Sequence, residues 1–239
     1  MGLFNTTIEI GGKTYKVPER ISVAQFEGVQ TWGIESQAAR IMCISTITGA
    51  PVADIKTLTD DEIEMTFAMA SLSMKSIENP KPYDGPLDFN NITFGQFVDL
   101  DVITYEDLNT HLAQAISIIW NCTPEEVRDE PLDKYLSGLG EWAECRAKVY
   151  TQFSEFFGLG EDHQQAAEDL DIDIEAADIK RTWYQAIITL AGEDFLKMNS
   201  VVERPVIECM NYLAYMKDQA KKREAELKKQ QAKMTARKH

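Results

Sequence analysis

The residues best placed for chemistry are the acids of "EDLDIDIEAADIK". There Asp169, Asp171, Asp173 and Glu175 fall on alternate positions, as the first oxygen ligands of an EF-hand calcium loop do. Counting from Asp169, the sixth position, where such a loop needs glycine for its sharp turn, is Ile174. The twelfth, where a bidentate glutamate closes the coordination sphere, is Lys180. The pattern fails at both deciding places, so the stretch reads as a solvated acidic linker or the acidic start of a helix. "GLGEWA", Gly138 to Ala143, satisfies the letters of G-x-G-x-x-[GA]. That fingerprint works only after a buried strand in a βαβ unit, and the preceding "EPLDKYLS" has no β-branched run. Glu141 would also set a negative charge against a pyrophosphate. The two glycines read instead as the loop before a helix.

His111 and His163 are isolated, and no H-E-x-x-H spacing or nucleophile arrangement accompanies them. Cys43, Cys122, Cys145 and Cys209 lie far apart in apolar or helical surroundings, which makes them reduced thiols that pack as small hydrophobes. Asp60-Asp61 and Glu125-Glu126 mark helix starts, where acids complement the helix dipole. Trp183 and Tyr184 head a helix and read as core anchors. No catalytic, cofactor-binding or metal-binding residue is singled out, and the expectation is a protein that is not an enzyme and carries no cofactor.

Charge narrows the partners. Residues 217–239 hold nine Lys or Arg against three acids, a net +6, so within a chain of net charge -15 residues 1–216 carry -21. Such a body repels nucleic acid and anionic lipid, and only the tail could attract a polyanion. No apolar run approaches the roughly 20 residues of a membrane span, and the first residues lack the basic and apolar regions of a signal peptide. Gly2 and Thr6 match the outline of a myristoylation site, but Phe4 to Lys16 already reads as a hairpin. The expected setting is an unexported protein with no membrane partner and no nucleic-acid partner.

The elements follow from periodicity. "TTIEIGGKTYKV" alternates Ile8 and Ile10 with polar residues, turns at Gly11-Gly12 and returns through Tyr15 and Val17, which predicts a β-hairpin. Ser22 caps a helix over "SVAQFEGVQTW", Gly49 stops a second, and Thr59 caps a third. The segment 79–91, with three prolines and a glycine, reads as a linker. "ITFGQFVDLD" fits strand or helix, with Phe94 and Phe97 as core residues and Gly95 permitting a close approach. Helical stripes follow through Trp120 and through Phe153, Phe156 and Phe157. The expected organisation is a small α+β module at 1–78, the linker, a helical segment at 92–160, an acidic linker at 161–180, helices at 181–216 that pack with 92–160, and a basic solvated tail at 217–239. The fold class is α+β, predominantly α-helical, with an N-terminal β-hairpin, a helical C-terminal region and a charged helical tail.

Three stretches, "IEIGGKTYKVP", "ITFGQFVDLD" and "WYQAIITLAGEDFLKMNSVVERPVIECMNYLAYMKDQAKKREAE", together resemble tailed-bacteriophage tail assembly chaperones, the proteins encoded before the tape measure gene. In that group a T-F-G-Q-F-x-D block, here Thr93 to Asp99, precedes a helical region ending in paired phenylalanines, here Phe156-Phe157. The resemblance implies a non-enzymatic role in tail morphogenesis in the host cytoplasm. The chain would bind and solubilise the long, helical, aggregation-prone tape measure protein while other phage tail proteins assemble. The competing expectation is a structural virion component, such as a tail, baseplate or head–tail junction subunit.

The closing helix is where a partner would dock. In "VIECMNYLAYM" large apolar residues occupy every face, so it must be covered by the chain's own core or by another protein. From Lys217 onward apolar residues are too few for a packed face. The candidate partner-binding residues straddle that change: Tyr212, Leu213, Tyr215, Met216, Lys217, Lys221, Lys222 and Arg223.

Overall fold

The computed structural model describes residues 6–78, 80–157 and 176–236. The acidic stretch through Glu175, His163, Gly2 of the myristoylation outline and the glycines at 158 and 160 lie outside the described residues.

Strands β1 (Thr7–Ile10) and β2 (Lys13–Lys16) pair antiparallel with Ile8 opposite Tyr15 and Ile10 opposite Lys13. Gly11 and Gly12 both take positive φ, +58° and +73°, which a two-residue turn matched to strand twist requires. Helices α1 (Val23–Trp32), α2 (Gln37–Thr48), α3 (Val52–Ile55) and α4 (Asp60–Ala70) follow, and a 3-10 segment continues over Ser71–Glu78. Then come α5 (Phe94–Asp107), α6 (Leu112–Trp120), α7 (Pro124–Arg128), α8 (Leu136–Gln152) and α9 (Ser154–Phe157). The last described helices are α10 (Ala176–Leu190), α11 (Met198–Val202) and α12 (Val206–Ala236). The fold is α+β and mostly helical, with the hairpin first and a charged helical extension last.

Several helix starts are written in side chains. Ser22 accepts from the Gln25 N–H while the Gln25 side chain accepts from the Ser22 N–H, and Thr59 and Glu62 repeat this box at α4. Gly49, at φ +73°, ends α2 in the left-handed conformation that glycine adopts without penalty.

The chain forms two compact units. The first joins Met1–Leu87 with Ile103–Trp142, and the second joins Asp88–Val102 with Ala143–His239. The chain thus leaves the first unit at residue 88, re-enters it part way along α5, and leaves again part way along α8.

In the first unit Ile8, Ile10 and Val17 pack with Ile41, Ile44, Ile55 and Ile63, so the hairpin's alternating face meets α2, α3 and α4. The later segment is bound in by polar ties. Arg20 donates to the Asp133 carboxylate, the Ala113 N–H at the start of α6 donates to Glu27 Oε1 at 2.8 Å, and the Leu132 N–H donates to the Ile21 carbonyl at 2.9 Å. "GLGEWA" departs from expectation: Gly138 and Gly140 lie inside α8, not in a loop before it. The cause is crowding at Gly138, where a Cβ would run into the Trp120 ring and lie 2.9 Å from Tyr83. Glycine there serves packing, at a cost in helix propensity of about 1 kcal/mol relative to alanine.

Candidate functional site

The base of the candidate site is built by the "ITFGQF" block of the second unit. The Thr93 N–H and hydroxyl both donate to Gln96 Oε1, and the Gln96 N–H donates back to the Thr93 hydroxyl at 3.2 Å, so α5 starts on a local box. The backbone just ahead of it pairs with the start of α12. The Phe94 N–H donates to the Arg204 carbonyl at 2.7 Å and the Val206 N–H to the Ile92 carbonyl at 3.0 Å. Gly95 makes this closeness possible, since a Cβ there would stand 3.1 Å from Val202 Cβ and 3.2 Å from its carbonyl oxygen. The stretch that fits strand or helix on pattern is therefore one bridge residue, Thr93, followed by helix.

Phe94 and Phe97 are fully buried, and both set their rings edge-on to Trp183 with centroids 5.7 and 5.8 Å apart. Beside them is a residue the sequence reading passed over. Asp101 is 0% exposed; its Oδ1 accepts from Arg146 Nε at 2.7 Å, and its Oδ2 accepts from the Tyr150 hydroxyl at 3.0 Å and Trp183 Nε1 at 2.8 Å. The Arg146 guanidinium also lies 4.8 Å from the centre of the Tyr150 ring. One carboxylate thus ties α5, α8 and α10 together with charge-assisted bonds. The available signal was register: Asp101 follows Phe94 by seven residues and Phe97 by four, which puts it on the apolar stripe.

On this base stands α12. Val206, Cys209, Met210 and Leu213 are buried in the second unit, and burial pushes the Cys209 thiol up to about 11, so it stays protonated and packs as a hydrophobe. Of the candidate partner-binding residues, Leu213 faces the unit's own interior at 5% exposure, while Tyr212 and Tyr215 are 54% and 58% exposed with ring centroids 6.3 Å apart. Met216 and Lys217 are half-buried. Lys217 Nζ donates to the Glu155 and Phe156 carbonyls at 2.7 and 2.8 Å and lies 5.5 Å from the centre of the Phe156 ring. It caps the end of α9, where a cation meets the negative pole of the helix dipole. Lys221, Lys222 and Arg223 are exposed, as is Leu227 at 57%. The helix runs unbroken to Ala236, about 28 Å past Lys217 at 1.5 Å per residue.

Trp183 is buried as expected of an anchor, but Tyr184 is not: it is 55% exposed, because consecutive residues of α10 point about 100° apart and only one can face the interior. Cys43, Cys145 and Cys209 are buried and Cys122 half-buried. Among the described residues no group of three or more His, Cys, Asp or Glu is placed to hold a metal ion, and no helix is long and apolar enough to cross a membrane. No family model matches the chain, and neither a curated protein nor a solved structure matches it.

Proposed function

We propose that this chain is a non-enzymatic phage tail morphogenesis protein that works in the host cytoplasm, holding the tape measure protein in solution while the tail assembles, with α12 as its docking element. The observation that carries the docking part is the adjacent pair Tyr212 and Tyr215, more than half exposed at the point where α12 leaves its own core. Tyrosine on a fixed helix offers large contact area at small cost in side-chain entropy, and an amphipathic helix binds through apolar anchors at three- and four-residue spacing. The charge of -21 on residues 1–216 supports the role, since it would keep a complex with exposed apolar helices soluble. The phage part rests on the resemblance carried by the Thr93 to Asp99 block and the α10 to α12 stretch.

Co-expression with the tape measure protein that the resemblance implies as partner is the test. The account expects co-purification and a gain in the partner's soluble fraction, both reduced by Tyr212→Glu with Tyr215→Glu. Mass spectrometry of purified particles adds the second arm: depletion from particles fits a chaperone, whereas stoichiometric copies would make the chain a structural tail, baseplate or head–tail junction subunit.

A further inference from the structure

Among the described residues, the two most exposed large apolar side chains are neighbours on one short turn of the second unit: Phe195 at 77% and Leu196 at 87%. The turn is held in place. After α10, Gly192 and Glu193 both take positive φ, +65° and +62°, the second being a conformation that non-glycine residues seldom adopt. The Glu193 N–H donates to the Ile188 carbonyl at 3.0 Å. The Asp194 carboxylate accepts from the Leu196 N–H at 3.1 Å and pairs with the Lys197 ammonium at 3.1 Å. Two large apolar groups are thus aimed at water by a turn that is already ordered.

The same surface holds a receptor. A cavity of about 130 Å³ opens beside the turn, lined by Tyr184, Ile188, Ala191, Phe195 and Met198 along with the turn's acids. Apolar cavities of about 150 Å³ take up a benzene-sized group. This one is smaller, open to solvent on one side and edged by Glu193 and Asp194, which leaves room for one leucine-sized side chain. Leu196 sits next to the cavity without lining it. A surface that carries a knob and a matching hole side by side is self-complementary under a twofold axis. Lys197 is paired with Asp194 of its own copy, which leaves the contact between copies to the apolar groups. Pairing through the α12 extension would instead bring together two segments that each carry a net charge of +6 over residues 217–239.

We propose that the Phe195–Leu196 turn is a self-association surface, on which two copies of this chain pair about a twofold axis with Leu196 of each copy in the Tyr184–Ile188–Met198 cavity of the other. A contact built on so few residues belongs to the small, transient class of interfaces. It also has a distinctive salt response. Each copy carries net charge -15, so the copies repel at low ionic strength, and shortening the Debye length removes that repulsion.

The test is sedimentation velocity of the full chain over about two decades of concentration, at 0.05 and 0.5 M NaCl, alongside Leu196→Asp. Leu196 is exposed, so the variant should keep the wild-type circular dichroism. The wild type should show a reversible monomer–dimer equilibrium that tightens by roughly threefold at the higher salt, and Leu196→Asp should stay monomeric throughout. In ¹³C-methyl NMR the Met198 resonance should move with concentration in the wild type and stay fixed in Leu196→Asp. A wild type monomeric at every concentration overturns the proposal. So does association that survives Leu196→Asp, which would place the contact elsewhere, or association that weakens with salt, which would make it a charge contact.

Discussion

Asp101 ties α5 to α8 and α10 through Arg146, Tyr150 and Trp183. Its carboxylate is wholly buried and satisfied by three donors, one of them a guanidinium that is itself largely buried. Removing one side of a buried ion pair leaves the other uncompensated, so Asp101→Ala should lower unfolding free energy by about 3 to 5 kcal/mol in urea. A loss under 1 kcal/mol would mean the network carries little. At the surface, the Glu62 and Glu126 carboxyls are held below the usual glutamate range because each accepts the backbone N–H of its cap, Thr59 or Thr123. A lowered folded pKa gives stability that is present above the ordinary glutamate value of about 4.3 and lost as pH falls through the folded value. NMR titration should find both carboxyls below that value, and disrupting the box with Thr59→Pro should return Glu62 to it without moving Glu126.

Among the elements, α12 joins two different environments in one helix. Up to Met216 it covers the second unit's interior with Val206, Cys209, Met210 and Leu213; beyond Lys217 its residues through Gln230 are nearly all exposed. Deleting 218–239 should therefore change unfolding free energy by no more than about 0.5 kcal/mol, as surface changes do. Leu213→Asp, which buries a charge without a partner, should cost at least about 3 kcal/mol. Denaturant melts of the two variants decide this, and the reverse ranking would move the boundary. Much of this element was legible in the sequence, because apolar residues on every face followed by a lysine run predict a buried helix and a solvated continuation. What was not legible was which of Tyr212, Leu213, Tyr215 and Met216 would face inward. That choice is made by α9 and α10, through contacts far apart in sequence such as Lys217 with Glu155 and Phe156.

At the scale of the whole chain, the hairpin and the helix starts could be read locally, since glycine turns, capping residues and apolar spacing act over a few positions. The exchange of segments between units could not. The first unit recruits 103–142 through ties such as Arg20 with Asp133 and Glu27 with Ala113, separated by 113 and 86 residues. The second recruits 88–102 through Asp101 and the Phe94 backbone. Local periodicity holds no record of such pairings, and the same is true of the Trp120 and Tyr83 rings that require glycine at 138 inside α8. The proposed docking role of α12 is tested by pull-down of the co-expressed tape measure protein with the full chain. The account expects capture by the wild type, retention of the fold in Tyr212→Glu with Tyr215→Glu, and at least a tenfold loss of captured partner in that variant, a change of about 1.4 kcal/mol. Equal capture by the folded variant, or no capture by the wild type, would contradict it.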